Sequence, residues 1–201
     1  MIQTIFGSPV VILKVENVEE LFSTEVYEET INHLMRPDNK FIDHPYARGG
    51  KICTTDLNSK MSINRIVGLD ILWKFLKATA LEHVHLYSNG PVKDLKFRNS
   101  WINLTFQGCE IKNHNDKDPN TGRSMIVTFY PKVPFGGANL VFIHNSNYGE
   151  WASDRSEKDL VQFVIEEGNI VIFDNLILHA VAEHSVEIPR MCIATEFTIE
   201  K

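Results

Sequence analysis

A histidine and an aspartate two positions apart, His114 and Asp116, could hold a divalent cation together with His179 further along the chain. Two imidazoles and one carboxylate on one side of an ion leave the opposite coordination positions open to small molecules. Arg190, eleven positions after His179, adds a fixed cation suited to a carboxylate. In a chain of 201 residues with eight histidines, a His-x-Asp triplet arises readily by chance, so the surrounding elements must carry the case.

Alternate residues of a strand share a face, so His114 and Asp116 can reach one ion from a strand end. His114 follows the alternating segment 101–106, a turn at Gly108 and Ile111. His179 ends the run from Gly168 through Ile170-Val171-Ile172-Phe173 to Leu178, a turn glycine and then a buried strand; an unpaired core histidine is the alternative. Arg190 opens an apolar strand, Met191 to Phe197. Strands are expected over 96–106, 110–114, 125–130, 139–144, 161–165, 170–173, 176–179 and 191–199, a number that suits a sandwich or barrel-like core.

Upstream, Pro9 to Val15 is β-branched and continuous and reads as a buried strand. Asn17 and Glu20 have capping-box spacing ahead of a helical pattern that stops before Pro37. Residues 37–61 are polar and broken by Pro and Gly, which predicts a long connection. Ser62 precedes a second helix with a broad apolar face, giving helical support over about 17–86 and a β core over about 94–199. Helices first and strands later make an α+β layout.

The length fits one domain over 1–201. With 43% hydrophobic and 23% charged residues the composition is that of a soluble globular chain, and no apolar run is long enough to span a bilayer. The start, MIQTIFGSPVVILKV, lacks a basic region with a cleavage site, so a cytoplasmic location is expected. Cys53, Cys109 and Cys192 are odd in number and far apart, which fits free buried thiols. The net charge of -6 gives no general attraction to phosphate, and Lys93, Lys96 and Arg98 read as a solvated strand face; nucleic acid and membrane are not expected partners. Among the other histidines, His83 and His85 point about 200° apart on a helix and cannot chelate one ion. His44 and His184 read as loop residues, and His144 ends a strand.

With its His114-Asn115-Asp116, His179 and Arg190, the chain resembles the Fe(II)- and 2-oxoglutarate-dependent oxygenases of the prolyl-hydroxylase-like superfamily. The likeness extends to Thr105, nine before His114, where that family usually has Tyr, and to Arg123, Tyr130 and Gly136-Gly137 ahead of Leu140-Val141-Phe142. In many members a Ser lies two residues after the Arg; here it is Cys192. Residues 101–199 carry the resemblance.

The resemblance implies a double-stranded β-helix, or jelly roll, braced by N-terminal helices. It also implies Fe(II) on His114, Asp116 and His179, and 2-oxoglutarate held by Arg190 with Thr105, Tyr130 and Asn103 as further contacts. The reaction expected is hydroxylation of a C–H bond in a small-molecule or peptidyl substrate by dioxygen, with release of succinate and carbon dioxide. Related halogenases replace the carboxylate ligand by a small residue, so Asp116 argues for hydroxylation. The rivals are a cupin-like metal-binding protein without catalysis and a Zn-dependent hydrolase using the same ligands. The polar segment 145–159 carries Tyr148 and Trp151, which are expected to form a substrate lid.

Overall fold

The structure, a computed structural model, describes residues 1–35, 47–48, 52–54, 69–117, 123–144 and 159–201. Twelve strands among these residues form two sheets: β1 Ile2–Ile5, β2 Ser8–Lys14, β3 Ala47–Arg48, β4 Ile52–Thr54, β5 Asp94–Thr105, β6 Glu110–His114, β7 Ser124–Lys132, β8 Leu140–Ile143, β9 Leu160–Phe163, β10 Asn169–Asp174, β11 Leu178–Val181 and β12 Arg190–Glu200. The larger sheet has the order β1-β2-β10-β7-β12-β5-β4 and the smaller β3-β6-β11-β8-β9, with every pairing antiparallel.

The pairing from β5 onward is nested. β8 pairs with β9, β7 with β10, β6 with β11 and β5 with β12, the two sheets being used in alternation. One long hairpin of eight strands rolled over on itself has this pattern, which is the jelly roll. Alternation within each strand then sorts side chains between two cores. Met125, Val127 and Phe129 of β7, Ile170 and Ile172 of β10, and Met191 and Ile193 of β12 join the core outside the larger sheet. Ile126 and Tyr130, Val171 and Phe173, and Cys192 face the inside of the roll.

Helices supply the partners for the outer core: α1 Val18–Leu21, α2 Thr24–Leu34 and α3 Leu69–His83. Leu69, Leu72, Leu76 and Ala80 recur at three- and four-residue spacing on α3 and are fully buried in that cluster, at about 1.5–3 kcal/mol for each leucine. The first helical stretch is not continuous. Asn17 makes no capping bond, its side-chain amide going instead to Glu20, and α1 stops at Leu21. Ser23 is the effective cap of α2, its hydroxyl accepting from Val26 N–H. The expected connection over 37–61 also contains structure, since β3 adds to the edge of β6 and β4 to the edge of β5. No helix among the described residues is long and apolar enough to cross a membrane.

Gly168 shows how tightly the layers are joined. It has φ +83°, its N–H donates to Tyr130 O (2.8 Å) and its carbonyl accepts from Val15 N–H (2.9 Å). A Cβ here would lie 2.6 Å from Val15 O. Gly168→Ala is therefore expected to cost about 2–3 kcal/mol, from left-handed strain plus the clash, read as a lower urea midpoint at unchanged slope.

Candidate metal centre

His114 closes β6 and faces His179 directly across the β6–β11 pair. Their ring centroids are 4.3 Å apart, and His179 Nε2 lies 3.6 Å from Asp116 Oδ2. One ligand atom from each of the three residues falls within 4.8 Å of the others, a spacing that would accept a metal ion. Both rings are oriented the same way: Nδ1 of His114 meets Lys112 O at 2.8 Å and Nδ1 of His179 meets Ile177 O at 3.2 Å. A proton on each Nδ1 satisfies those carbonyls and leaves Nε2 as the ligating nitrogen.

Burial, and then the neighbouring His179, push the His114 imidazole down to about 4. Burial raises the Asp116 carboxyl to about 6, with His114 opposing that shift and Glu196 adding to it. Asp116 Oδ2 is buried and has no hydrogen-bond partner. Two imidazoles turned Nε2-inward and an under-satisfied carboxylate are the donor set of a borderline divalent ion, and cation binding relieves the desolvation of Asp116.

A second set of polar groups lies on the inner face of the larger sheet. Arg190 opens β12 opposite Thr105 of β5, and Cys192 stands opposite Asn103. The Arg190 side chain is 1% exposed, yet its Nε and Nη2 have no hydrogen-bond partner. Tyr130 supports it from below, with the guanidinium carbon 4.7 Å from the ring centroid. Thr105 Oγ1 and Asn103 Oδ1 are buried without partners as well. A cavity has both this set and the triad on its wall: His114, Asp116 and His179, with Asn103, Thr128, Tyr130, Arg190 and Cys192, closed by Trp101, Ile126 and Phe173 among others. Thr105 is beside Arg190 but not on that wall.

Burial holds the Tyr130 phenol well above its ordinary range and pushes the Cys192 thiol up to about 11, so both keep their protons at neutral pH. A buried guanidinium with two orphaned nitrogens costs several kcal/mol unless an anion meets it. The residues present therefore fit a ligand with one end at the triad and a carboxylate at Arg190.

The other histidines stand elsewhere. His184 is fully buried and not a loose loop residue: its Nδ1 accepts from Ala138 N–H (3.2 Å) and its Nε2 donates to Ile188 O (2.8 Å). It knits the Gly136-Gly137 turn to the loop before β12, and a Cβ on Gly137 would sit 2.9 Å from Pro134 O. His144 packs edge-on against Phe6, and His83 Nδ1 donates within its own helix to Thr79 O. His44, and Tyr148 and Trp151 of the expected lid, lie outside the described residues. Sequence reasoning did not single out Asn175, whose carbonyl accepts from Asp116 N–H, or Ser124 and Glu196, which are linked to Asn175 in turn; nothing in their spacing announces it, because strand pairing brings them together.

No family model matches the sequence, and no curated protein matches it. Solved structures do. An oxidoreductase of the 2OG-Fe(II) oxygenase family from Burkholderia pseudomallei aligns over 94% of this chain and 84% of its own, at TM-score 0.58 and 14% identity. The non-haem alpha-ketoglutarate-dependent carbocyclase SnoK of nogalamycin biosynthesis aligns over 95% and 79%, at TM-score 0.65 and 12% identity. The viral collagen prolyl hydroxylase of Paramecium bursaria Chlorella virus-1, in its 2OG complex, aligns over 94% and 96%, at TM-score 0.55 and 11% identity. The chain thus has the jelly-roll fold of the 2OG-Fe(II) oxygenases. Prolyl hydroxylases are among the structures that share it.

Proposed function

We propose that this chain is a non-haem Fe(II)- and 2-oxoglutarate-dependent dioxygenase, acting as one catalytic domain over 1–201, that hydroxylates a C–H bond of a small-molecule or peptidyl substrate. The observation that carries the reading is the buried Arg190, with two partnerless nitrogens, on the wall of the cavity that also holds His114, Asp116 and His179. A metal-binding jelly roll without catalysis has no need of a desolvated cation there, and a Zn-dependent hydrolase needs none either.

In this reading the triad holds Fe(II), and the metal with 2-oxoglutarate supplies dioxygen activation coupled to cosubstrate decarboxylation, giving succinate and carbon dioxide. Arg190 pairs with the far carboxylate of the cosubstrate, Tyr130 keeps the guanidinium flat and donates its phenol, and Asn103 satisfies a further oxygen, while Thr105 stands opposite Arg190 on the neighbouring strand. Trp101, Ile126 and Phe173 keep water from the reacting end. The helices against the outer face of the larger sheet stiffen the strands that carry Arg190 and Tyr130.

The test is uncoupled turnover: Fe(II), 2-oxoglutarate, ascorbate and air, with succinate measured against a metal-free control. Succinate formed only with Fe(II) and 2-oxoglutarate is expected; none with Fe(II), alongside ester or amide hydrolysis with Zn(II), would overturn the assignment. Tyr130→Phe is expected to raise the apparent KM for 2-oxoglutarate by about three- to tenfold, the effect of one neutral hydrogen bond. The same succinate assay reads it.

A further inference from the structure

Asp116 lies beyond the end of β6, outside any strand, so its position needs a restraint from elsewhere. One is supplied by Asn175, the residue after β10. The β10–β7 ladder reaches Asp174 opposite Met125, and the next rung would pair Asn175 with Ser124. Antiparallel rungs alternate between bonded and non-bonded pairs, and in a bonded rung, as this one is, each residue donates its N–H to the other's main-chain carbonyl. Here only half of that exchange is ordinary. Asn175 N–H donates to Ser124 O (3.1 Å), but Ser124 N–H donates to the side-chain oxygen of Asn175, Oδ1 (3.2 Å).

The side-chain amide oxygen has taken the place of the residue's own carbonyl. That carbonyl is released from the ladder and accepts the N–H of Asp116 at 3.1 Å. Asn175 is fully buried, and Ser124 is held from its other side, its hydroxyl donating to Glu196 Oε1 at 2.6 Å. The following turn is fixed too, with Leu176 N–H on Asp174 Oδ1 (2.9 Å) and Ile177 N–H on Asp174 O (3.0 Å), two residues before His179.

We propose that Asn175 is a positioning residue for the metal site: its side chain stands in for its backbone in the β10–β7 ladder so that its carbonyl can fix Asp116. The inference rests on the metal-centre reading above, but its mechanics are a property of the metal-free chain. A side chain whose carbonyl oxygen lies three bonds from Cα, as in Asn or Asp, reaches Ser124 N–H without moving the main chain. Alanine would leave Ser124 N–H buried and unsatisfied, and the relaxation open to it is to give the residue-175 carbonyl back to Ser124, which takes it from Asp116. The Asn175 Nδ2 has no partner, so the oxygen and not the amide nitrogen is the working atom.

Two measurements on Asn175→Ala and Asn175→Asp test this. The first is amide hydrogen exchange by NMR on metal-free protein: Asp116 N–H is expected to exchange at least tenfold faster in Asn175→Ala, with Ile126 N–H in mid-strand unchanged, and at the wild-type rate in Asn175→Asp, which keeps the oxygen. The second is binding of Mn(II) followed by EPR, together with the visible spectrum of the Co(II) form. Asn175→Ala is expected to lose at least tenfold in Mn(II) affinity and to show an altered Co(II) spectrum, while Asn175→Asp stays within threefold of wild type. Equal Asp116 exchange in wild type and Asn175→Ala overturns the proposal, as does an Asn175→Asp protein that loses Asp116 protection. A role in stability alone would lower the melting temperature of Asn175→Ala with Mn(II) affinity and Co(II) spectrum unchanged, and that too overturns it. Should Asn175→Ala fail to fold, the exchange rate of Asp116 in Asn175→Asp decides by itself. A wild-type chain that takes up neither ion contradicts the metal reading, and the exchange result on the metal-free proteins still tests Asn175.

Discussion

Arg190→Met is expected to raise the apparent KM for 2-oxoglutarate about a hundredfold while leaving divalent-metal affinity within about twofold. The guanidinium offers a planar fork to a carboxylate, and a desolvated charge-assisted pair of this kind contributes about 2–3 kcal/mol. Methionine fills much the same volume, so the cavity wall and the Tyr130 face stay covered. The same substitution should make the ligand-free chain more stable. A buried cation with Nε and Nη2 unpaired is a cost that the apolar side chain removes. A rise in the urea midpoint without ligand, joined to loss of the thermal shift produced by 2-oxoglutarate, is the signature. A KM unchanged from wild type would move the anchor to another residue.

Asp116→Asn and His179→Ala are expected to abolish metal binding, since two remaining ligands do not hold a labile divalent ion. The two differ in what they do to the metal-free protein. Burial raises the Asp116 carboxyl to about 6, above its ordinary value of 3.8, so ionising it costs more in the folded chain than in the unfolded one. That penalty is absent below the unfolded value, grows as pH rises between the two, and is complete above about 6, on the order of 2–3 kcal/mol at most. At pH 7.5 Asp116→Asn should therefore melt above metal-free wild type, whereas His179→Ala, which opens a hole beside Phe173 and Phe142, should melt below it. Calorimetry with and without Mn(II) reads both effects: Mn(II) should raise the melting temperature of wild type alone. A Mn(II)-induced rise in Asp116→Asn would remove that residue from the ligand set.

Much of the roll is legible in the chain because strands with two different environments alternate. The eight strand segments read between 96 and 199 match β5 to β12 within two residues at every end. Where the reading slips, a local bond is responsible. His179 stands second in β11 and not at the end of a run, because Asp174 turns the chain at 174–177 and the strand begins only afterwards. The triad could be read from residue type and spacing, and Arg190 from its place at the start of an apolar strand. Asn175 and Ser124 could not, since their function depends on a rung that exists only once β10 has found β7. Nor could the burial of His184, whose partners Ala138 and Ile188 come from separate loops. Short β3 and β4 are hidden for a related reason: two or three residues paired on an edge leave no periodic trace.

The nested pairing has a kinetic side. β12, residues 190–200, lies between β7 and β5 in the middle of the larger sheet, so neither neighbour can complete its ladder until that segment arrives. A ribosome delivers β5 almost a hundred residues earlier, and the loop to be closed is among the longest the roll contains. High contact order of this sort makes folding slow and leaves two half-paired edges exposed throughout synthesis. The strand that brings Arg190 to the cavity is also the one that seals the sheet, so an unfinished molecule has neither a closed sheet nor the buried guanidinium in its cavity.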